Sequence, residues 1–262
     1  MPYVSRRHGR SAARGYHDGC PTGGGKVGLW LRRRGAWDWS DCAATMSAGA
    51  TALMTGVPVG RVHSGGHVRR IRMARPGDAG GIAAIYRPIV TDTVISFETD
   101  PPTETEVGRR VEANLAVAPW LVATGQHDDQ VLGYAYACRH RDRAAYRWSV
   151  DVSVYVDEKS RRSGLGRGLY TKLFALLRLQ GFFAAHAGIT LPNAGSVGLH
   201  ESLGFAPVGV YRSVGYKLGA WRDVGWWQLA LSDRALAPSP PLSPGEAAGK
   251  PEWARVLADE TS

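Results

Sequence analysis

Three short stretches hold the residues of this chain that could do chemistry. The first is RRSGLGRGLY (161–170), three glycines at alternate positions in a basic frame. Glycines at the start of a helix let backbone N–H groups reach an anion, and the helix dipole favours negative charge there. The second is LPNAGSVGLHESLGF (191–205), which spaces Asn193, Ser196 and His200 ahead of a Gly-Phe close. The third is RHRDRAAYRWSVDVSVYV (139–156), where a loop with Arg141, Arg143 and Tyr146 leads into an alternating run that carries Asp151. Imidazole and carboxylate groups move protons, and arginine pairs with carboxylate or phosphate.

Each stretch also has a plainer reading. The glycines could make only a tight turn, with Arg161, Arg162 and Arg167 as solvated charge. Asn193 after Leu191-Pro192 could be a turn residue or a helix cap. Ser196 could cap as well. His200 could sit idle on a helix face, Asp151 could be a solvated carboxylate, and the arginines could line a solvated loop. Two familiar phosphate loops do not fit. A Walker loop needs Lys-Ser/Thr after its second glycine, but Leu169 follows Gly168. A dinucleotide fingerprint needs GxGxxG and an acid after the next strand. Here the spacing is GxGxG, and no acid stands at Ile189-Thr190.

The elements around these stretches follow from periodicity and punctuation. VRRIRM reads as a strand. Asp78 is the expected N-cap of a helix over 79–89, and Thr103 with Glu106 makes an expected capping box for a helix over 103–118. WLVAT (120–124) and QVLGYAYAC (130–138) read as strands joined by a turn at 127–129. In WSVDVSVYV (148–156), Val150, Val152, Val154 and Val156 share one face, and Asp151, Ser153 and Tyr155 share the other. A helix over 166–180 closes at Gly181, a strand covers 184–190, a short helix over 196–203 closes at Gly204, and strands cover 208–217 and 224–231. The order β-α-α-β-β-β-loop-α-β-α-β-β predicts an α/β fold with a mixed sheet and helices on both faces.

Composition bounds the rest. The 262 residues carry a net charge of +9, and residues 1–66 hold nine basic against three acidic side chains. That Gly-, Arg- and Ala-rich segment has no steady period and reads as a disordered basic extension. Its Trp30, Trp37 and Trp39 leave two options open, a tail that docks on something or translated leader ahead of the domain. Residues 67–232 read as the folded domain, and 233–262, with APSPPLSPGEAAGKP, as a Pro-rich tail or linker. Cys20, Cys42 and Cys138 fit no zinc or disulfide framework, so a reducing cytoplasm is expected and no metal. No run reaches the ~18 apolar residues of a membrane span.

Taken together, Arg161-x-x-Gly164-x-Gly166 and the later Asn193-x-x-Ser196-x-x-Leu199-His200 with Gly204-Phe205 resemble the GNAT superfamily of N-acetyltransferases. WSVDVSVYV, SGLGRGLYTKL, GITLPNAGSVGLHESLGF and AWRDVGWWQL are similar to its phosphinothricin N-acetyltransferase branch, over about residues 69–231. The resemblance implies a mostly antiparallel central sheet and acetyl-CoA as co-substrate. It assigns the pyrophosphate to Arg161, Arg162, Ser163, Gly164, Leu165, Gly166 and Arg167. Val154, Tyr155 and Val156 would pair with the pantetheine arm like an added strand, and a main-chain N–H there would polarise the thioester carbonyl. Asn193 and Ser196 would also touch the cofactor. Asp151 stands where the branch has Glu, and His200 where most of the superfamily has an acid Tyr. Asp is one methylene shorter, so which of the two is base and which acid stays open. Arg141, Arg143 and Tyr146 would take the anionic groups of an amino-acid-like amine, and Phe97 would wall the pocket. Trp221 and Trp227 would serve as pocket, dimer or core aromatics. The branch also implies a homodimer and resistance to a herbicide or antibiotic.

Rival readings are another amine acceptor (a polyamine, an aminoglycoside or a protein N-terminus), a nucleic-acid binder working through the basic head, and a non-catalytic acetyl-CoA sensor. A cationic acceptor calls for acidic pocket residues, and 139–148 is basic. No nucleic acid or membrane partner is expected.

Overall fold

The structure, a computed structural model, describes residues 70–125 and 129–258. The basic extension expected over 1–66, and residues 127 and 128 of the expected turn, lie outside the described residues.

Among the described residues seven strands form one sheet. They are β1 (Arg70–Met73), β2 (Trp120–Thr124), β3 (Val131–Arg139), β4 (Ser149–Val156), β5 (Ala184–Leu191), β6 (Ala206–Lys217) and β7 (Ala220–Ala230). Their order is β1-β2-β3-β4-β5-β7-β6. Every pairing is antiparallel except β4 with β5. Helices α1 (Ala79–Asp92) and α2 (Glu104–Leu115) cover one face through Ile82, Ile85, Val107 and Val111. Helix α3 (Leu165–Gln180) covers the other through Leu169, Leu173, Leu176 and Leu177. The short helix α4 (Ala194–Ser202) follows β5.

The alternation of β4 explains how one strand serves both faces. Val150 and Val152 are buried against α3, with Val154 and Val156 packed beside them, while Tyr155 packs toward the α1–α2 side. With a side-chain period of two, Asp151 and Ser153 must share the side of Tyr155. The crossover from β4 to β5 runs through α3, because parallel neighbours cannot be joined by a tight turn.

Two expected helix starts differ in detail. Asp78 precedes α1 but makes no side-chain cap to it. Its carboxylate accepts two hydrogen bonds from Arg72, at 2.7 and 2.8 Å, and one from the Arg75 N–H at 2.7 Å. Thr103 does cap α2, accepting from the Glu106 N–H at 3.2 Å, yet Glu106 turns away to Arg109 and Arg110 and closes no box. In both cases a nearby guanidinium offers a carboxylate stronger, charge-assisted bonds than a backbone N–H does.

The stretch expected as a Pro-rich tail is a correction. Residues 244–247 and 251–258 are helices α5 (Pro244–Ala247) and α6 (Pro251–Ala258), and Ala247 and Trp253 are buried in the core over α3. Gln180 and Leu242 exchange hydrogen bonds, Lys250 Nζ donates to the Leu179 carbonyl, and Trp148 Nε1 donates to that of Ser239. The signal was present in the sequence. Ser243-Pro-Gly-Glu246 forms a capping box, and Trp253 supplies one large apolar anchor. We expect Trp253→Ala to cost about 3 kcal/mol of stability, as a buried Trp truncation does, measured by urea unfolding. A loosely attached tail would leave the midpoint unchanged.

Candidate active site

The parallel ladder between β4 and β5 is short. It pairs Ser149 with Ala184, Val150 with Ala185 and Asp151 with His186, and there it ends. Each strand remains tied on its outer side. β3 pairs with β4 as far as Val156, and β7 pairs with β5 as far as Leu191. Beyond Asp151 the two strands therefore diverge, and the β5-facing edge of residues 152–156 carries no ladder partner among the described residues. A cavity of about 60 Å³ lies in this fork, lined among others by Val154, Tyr155, Tyr170, Asn193, Ser196 and His200.

At one side of the fork the glycine loop opens α3. Gly164 has φ of 80°, a left-handed conformation that glycine adopts without strain, and among the described residues no side chain caps the helix. The first intrahelical bond runs from the Gly168 N–H to the Gly164 carbonyl, so the N–H groups of Leu165, Gly166 and Arg167 precede the ladder. Arg161 and Arg162 are exposed beside them, and Ser163 Oγ donates to the Ser160 carbonyl at 2.6 Å. Arg167 instead reaches across to Ser202 Oγ at 2.7 Å. The Leu165 side chain is core, so only its backbone faces the loop. Backbone donors grouped at a helix start beside two arginines suit a pyrophosphate.

Asn193 and Ser196 lie at the head of α4, where Asn193 Oδ1 accepts from the Ser196 N–H at 3.1 Å. Asn193 is thus a helix cap as well as a cavity wall. His200 is buried, 4% exposed. Its Nδ1 lies 2.8 Å from the Ser196 carbonyl, an acceptor only, so Nδ1 carries the proton and Nε2 accepts from the Tyr170 hydroxyl at 3.1 Å. Burial lowers the His200 pKa and keeps the ring neutral. Burial raises that of Tyr170 and keeps its hydroxyl protonated.

Asp151 sits at the last rung of the ladder, and it is not alone. His140 Nδ1 lies 2.6 Å from its Oδ1, and the His140 ring stacks on that of His186 with centroids 4.4 Å apart. Burial raises the Asp151 pKa, opposed by the bond from His140 and the charges of His140, His186 and Arg141. His140, Asp151 and His186 each place one ligand atom within 4.8 Å of the others, a set that a divalent ion could use. Neither histidine stood out in the sequence. His140 looked like part of a basic loop, and His186 lies in a strand 46 residues away, brought alongside only by the crossover.

Arg141, Arg143 and Tyr146 line a second cavity of about 450 Å³, together with Arg139, Arg147, Pro241, Leu242 and Glu246. The C-terminal segment thus walls the basic loop, which the tail reading did not foresee. Phe97 is not among those lining residues. It packs its ring over Gly215 of β6, where any Cβ would collide with it. Trp227 is core, 7% exposed, and donates to Glu201, while Trp221 is exposed beside Tyr216. Among the described residues no helix is long and apolar enough to cross a membrane.

A splayed parallel pair, a glycine-opened helix and a capped second helix together define an acyl-CoA transferase site. Comparison with known proteins agrees. Residues 71–226 match the model of the acetyltransferase (GNAT) domain family. The chain is 39% identical over 171 residues to phosphinothricin N-acetyltransferase of Streptomyces viridochromogenes, covering 65% of this chain and 90% of that one. It is 34% identical over 168 residues to an L-methionine sulfoximine/L-methionine sulfone acetyltransferase of Pseudomonas paraeruginosa, covering 64% and 98%. The crystal structure of a phosphinothricin acetyltransferase from Sinorhizobium meliloti in complex with acetyl-CoA aligns with a TM-score of 0.62 at 33% identity, over 66% and 93% of the two chains. The chain belongs to the GNAT acetyltransferase family. It is an acetyl-CoA-dependent N-acetyltransferase.

The neutral, buried His200 has a consequence for stability. Its folded pKa lies below the unfolded value of about 6.5, so the unfolded chain binds more protons as pH falls through that range. Stability is present above that pH and is lost below it. We expect His200→Gln to flatten the fall in melting temperature between pH 7.5 and pH 5, measured by calorimetry.

Proposed function

We propose that this enzyme acetylates the α-amine of an amino acid or close analogue, with phosphinothricin, methionine sulfoximine and methionine sulfone as candidate acceptors. The observation that carries the reading is the basic cavity holding Arg141, Arg143 and Tyr146. An amino-acid acceptor carries a carboxylate, and phosphinothricin adds a phosphinate. Arginine forks bind both, whereas a polyamine or aminoglycoside would be repelled. The names of the related enzymes support the same acceptor class.

The chain's own groups supply the rest of the chemistry. The loop from Arg161 to Arg167 holds the pyrophosphate of acetyl-CoA by backbone N–H groups, Arg161 and Arg162. The unpaired edge of Val154, Tyr155 and Val156 receives the pantetheine arm, with Asn193 and Ser196 opposite. A main-chain N–H in the fork polarises the thioester carbonyl, and it acts without reorganising. The acceptor nitrogen bonds to the carbonyl carbon, the carbon–sulfur bond breaks and the thiolate leaves. The ammonium proton is taken at the Asp151 end of the fork. The Tyr170–His200 pair, which lines the cavity, protonates the thiolate. Acetylating a toxic amino-acid analogue would confer resistance to it, and Cys138, a free thiol, suits the cytoplasm.

We also infer a homodimer through β6. This edge strand exposes Val208, Tyr211, Val214 and Tyr216, and an exposed apolar edge calls for a partner. The expected outcome is a dimer in sedimentation velocity at micromolar concentration that Val208→Glu shifts toward monomer. A monomeric wild type would refute it.

The acceptor is tested by thiol release from acetyl-CoA against amino-acid analogues, polyamines and aminoglycosides. Turnover is expected with phosphinothricin or methionine sulfone, and Arg143→Ala should raise KM for the acceptor about tenfold or more, the loss of a charged bond, with KM for acetyl-CoA little changed. Turnover confined to the cationic acceptors would overturn the reading.

A further inference from the structure

We propose that His140, oriented by Asp151, is the general base that deprotonates the acceptor amine. The inference rests on the acetyltransferase reading above and deepens it, because it moves proton abstraction from the carboxylate to the imidazole.

Geometry carries it. The Asp151 carboxylate spends one oxygen on His140 Nδ1 at 2.6 Å, a short charge-assisted bond. Asp151 accepts, so Nδ1 carries the hydrogen and the lone pair of the neutral ring lies on Nε2. That nitrogen has no hydrogen-bond partner among the described residues. The ring is held from several directions. His186 of β5 stacks on one face, and Tyr146 and Trp226 of β7 meet it edge-on at 6.0 and 6.1 Å. The side chain still keeps 15% of its surface open. Asp151 in turn sits at the rung where β4 and β5 part. Tyr146 also lines the basic cavity, so the ring stands between the proposed acceptor residues and the fork.

The alternative base, Asp151 itself, is less well placed. Its side chain is short, is tied to His140, and has Cys138 directly across on β3. An imidazole longer than the carboxylate restores the missing reach, while the carboxylate fixes the tautomer and stabilises the imidazolium that forms. The balance is simple. Nε2 takes one proton from the ammonium, the freed nitrogen pair forms the C–N bond, the C–S pair departs on sulfur, the nitrogen's second proton replaces the one that the Tyr170–His200 pair gives the thiolate, and the imidazolium returns its proton to solvent. Other charged or titratable groups facing the ring are His186, Arg141 and Tyr146. Burial and the neighbouring His140 lower the His186 pKa, so it competes little for the proton.

The test compares His140→Gln with Asp151→Asn in kcat/KM against pH from 6 to 9.5, with acetyl-CoA affinity measured by calorimetry to show that each variant is folded. His140→Gln should lower kcat about a hundredfold or more near pH 7, the usual yield of a general base. Its rate should then climb about tenfold per pH unit as solution deprotonates the amine, since the neutral amine is the nucleophile. Asp151→Asn should lower kcat but rise less steeply with pH than His140→Gln, because the imidazole still takes the proton. The reverse pattern, with Asp151→Asn climbing and His140→Gln level, would make Asp151 the base and overturn the proposal. So would wild-type activity that is lost to EDTA and restored by Zn²⁺, which would assign the three side chains to a metal. A wild type silent on every amine would sink the acceptor reading instead.

Discussion

The parallel pairing of β4 with β5 stops at Asp151 and His186, and the site exists because each strand stays fully paired on its other side. β3 and β7 hold the two backbones in place, so the inner edges cannot close on each other. A strand edge left inside a protein has hydrogen-bonding groups that need a partner. An extended ligand arm with its own amides can supply them as an added strand does. The same divergence sets a helix start on each side. α3 opens on glycines beside exposed arginines, and α4 opens under Asn193.

Burial around the fork sets proton positions that side-chain type alone would not. His200 is kept neutral and Tyr170 protonated by the same loss of solvent, so the pair shares one hydrogen bond without net charge. Asp151 is pushed toward its neutral form by burial and drawn back by His140, which favours a carboxylate–imidazole pair over a lone base. Such opposed shifts are the usual means by which a fold runs acid and base steps side by side.

Much of the frame was legible in the sequence, because it depends on local signals. The alternation of 148–156, the leucine stripe of 169–177 and the glycines at 181 and 204 set strands and helix ends with no need of distant contacts. The capped starts were legible only in part, since Arg72 and the Arg109–Arg110 pair compete for Asp78 and Glu106. The C-terminal segment was misread because its prolines masked one capping box and one anchoring tryptophan. Phe97 and the basic loop resemble parts of one pocket in the sequence, but folding sets Phe97 against β6 and the arginines against the C-terminal helices.

The sequence by itself determined the order of elements from β1 to β7, the glycine loop and the family, since each is written in neighbouring residues and their spacing. Tertiary structure alone decided which histidines meet Asp151. His140 follows the end of β3 and His186 lies in β5, 46 positions apart; the antiparallel β3–β4 pairing brings the first to Asp151 and the parallel crossover brings the second. A helical or alternating pattern reports which face a residue takes, but not what stands across from it on the next strand. That pairing follows from register, and register is fixed by the packing of the whole sheet.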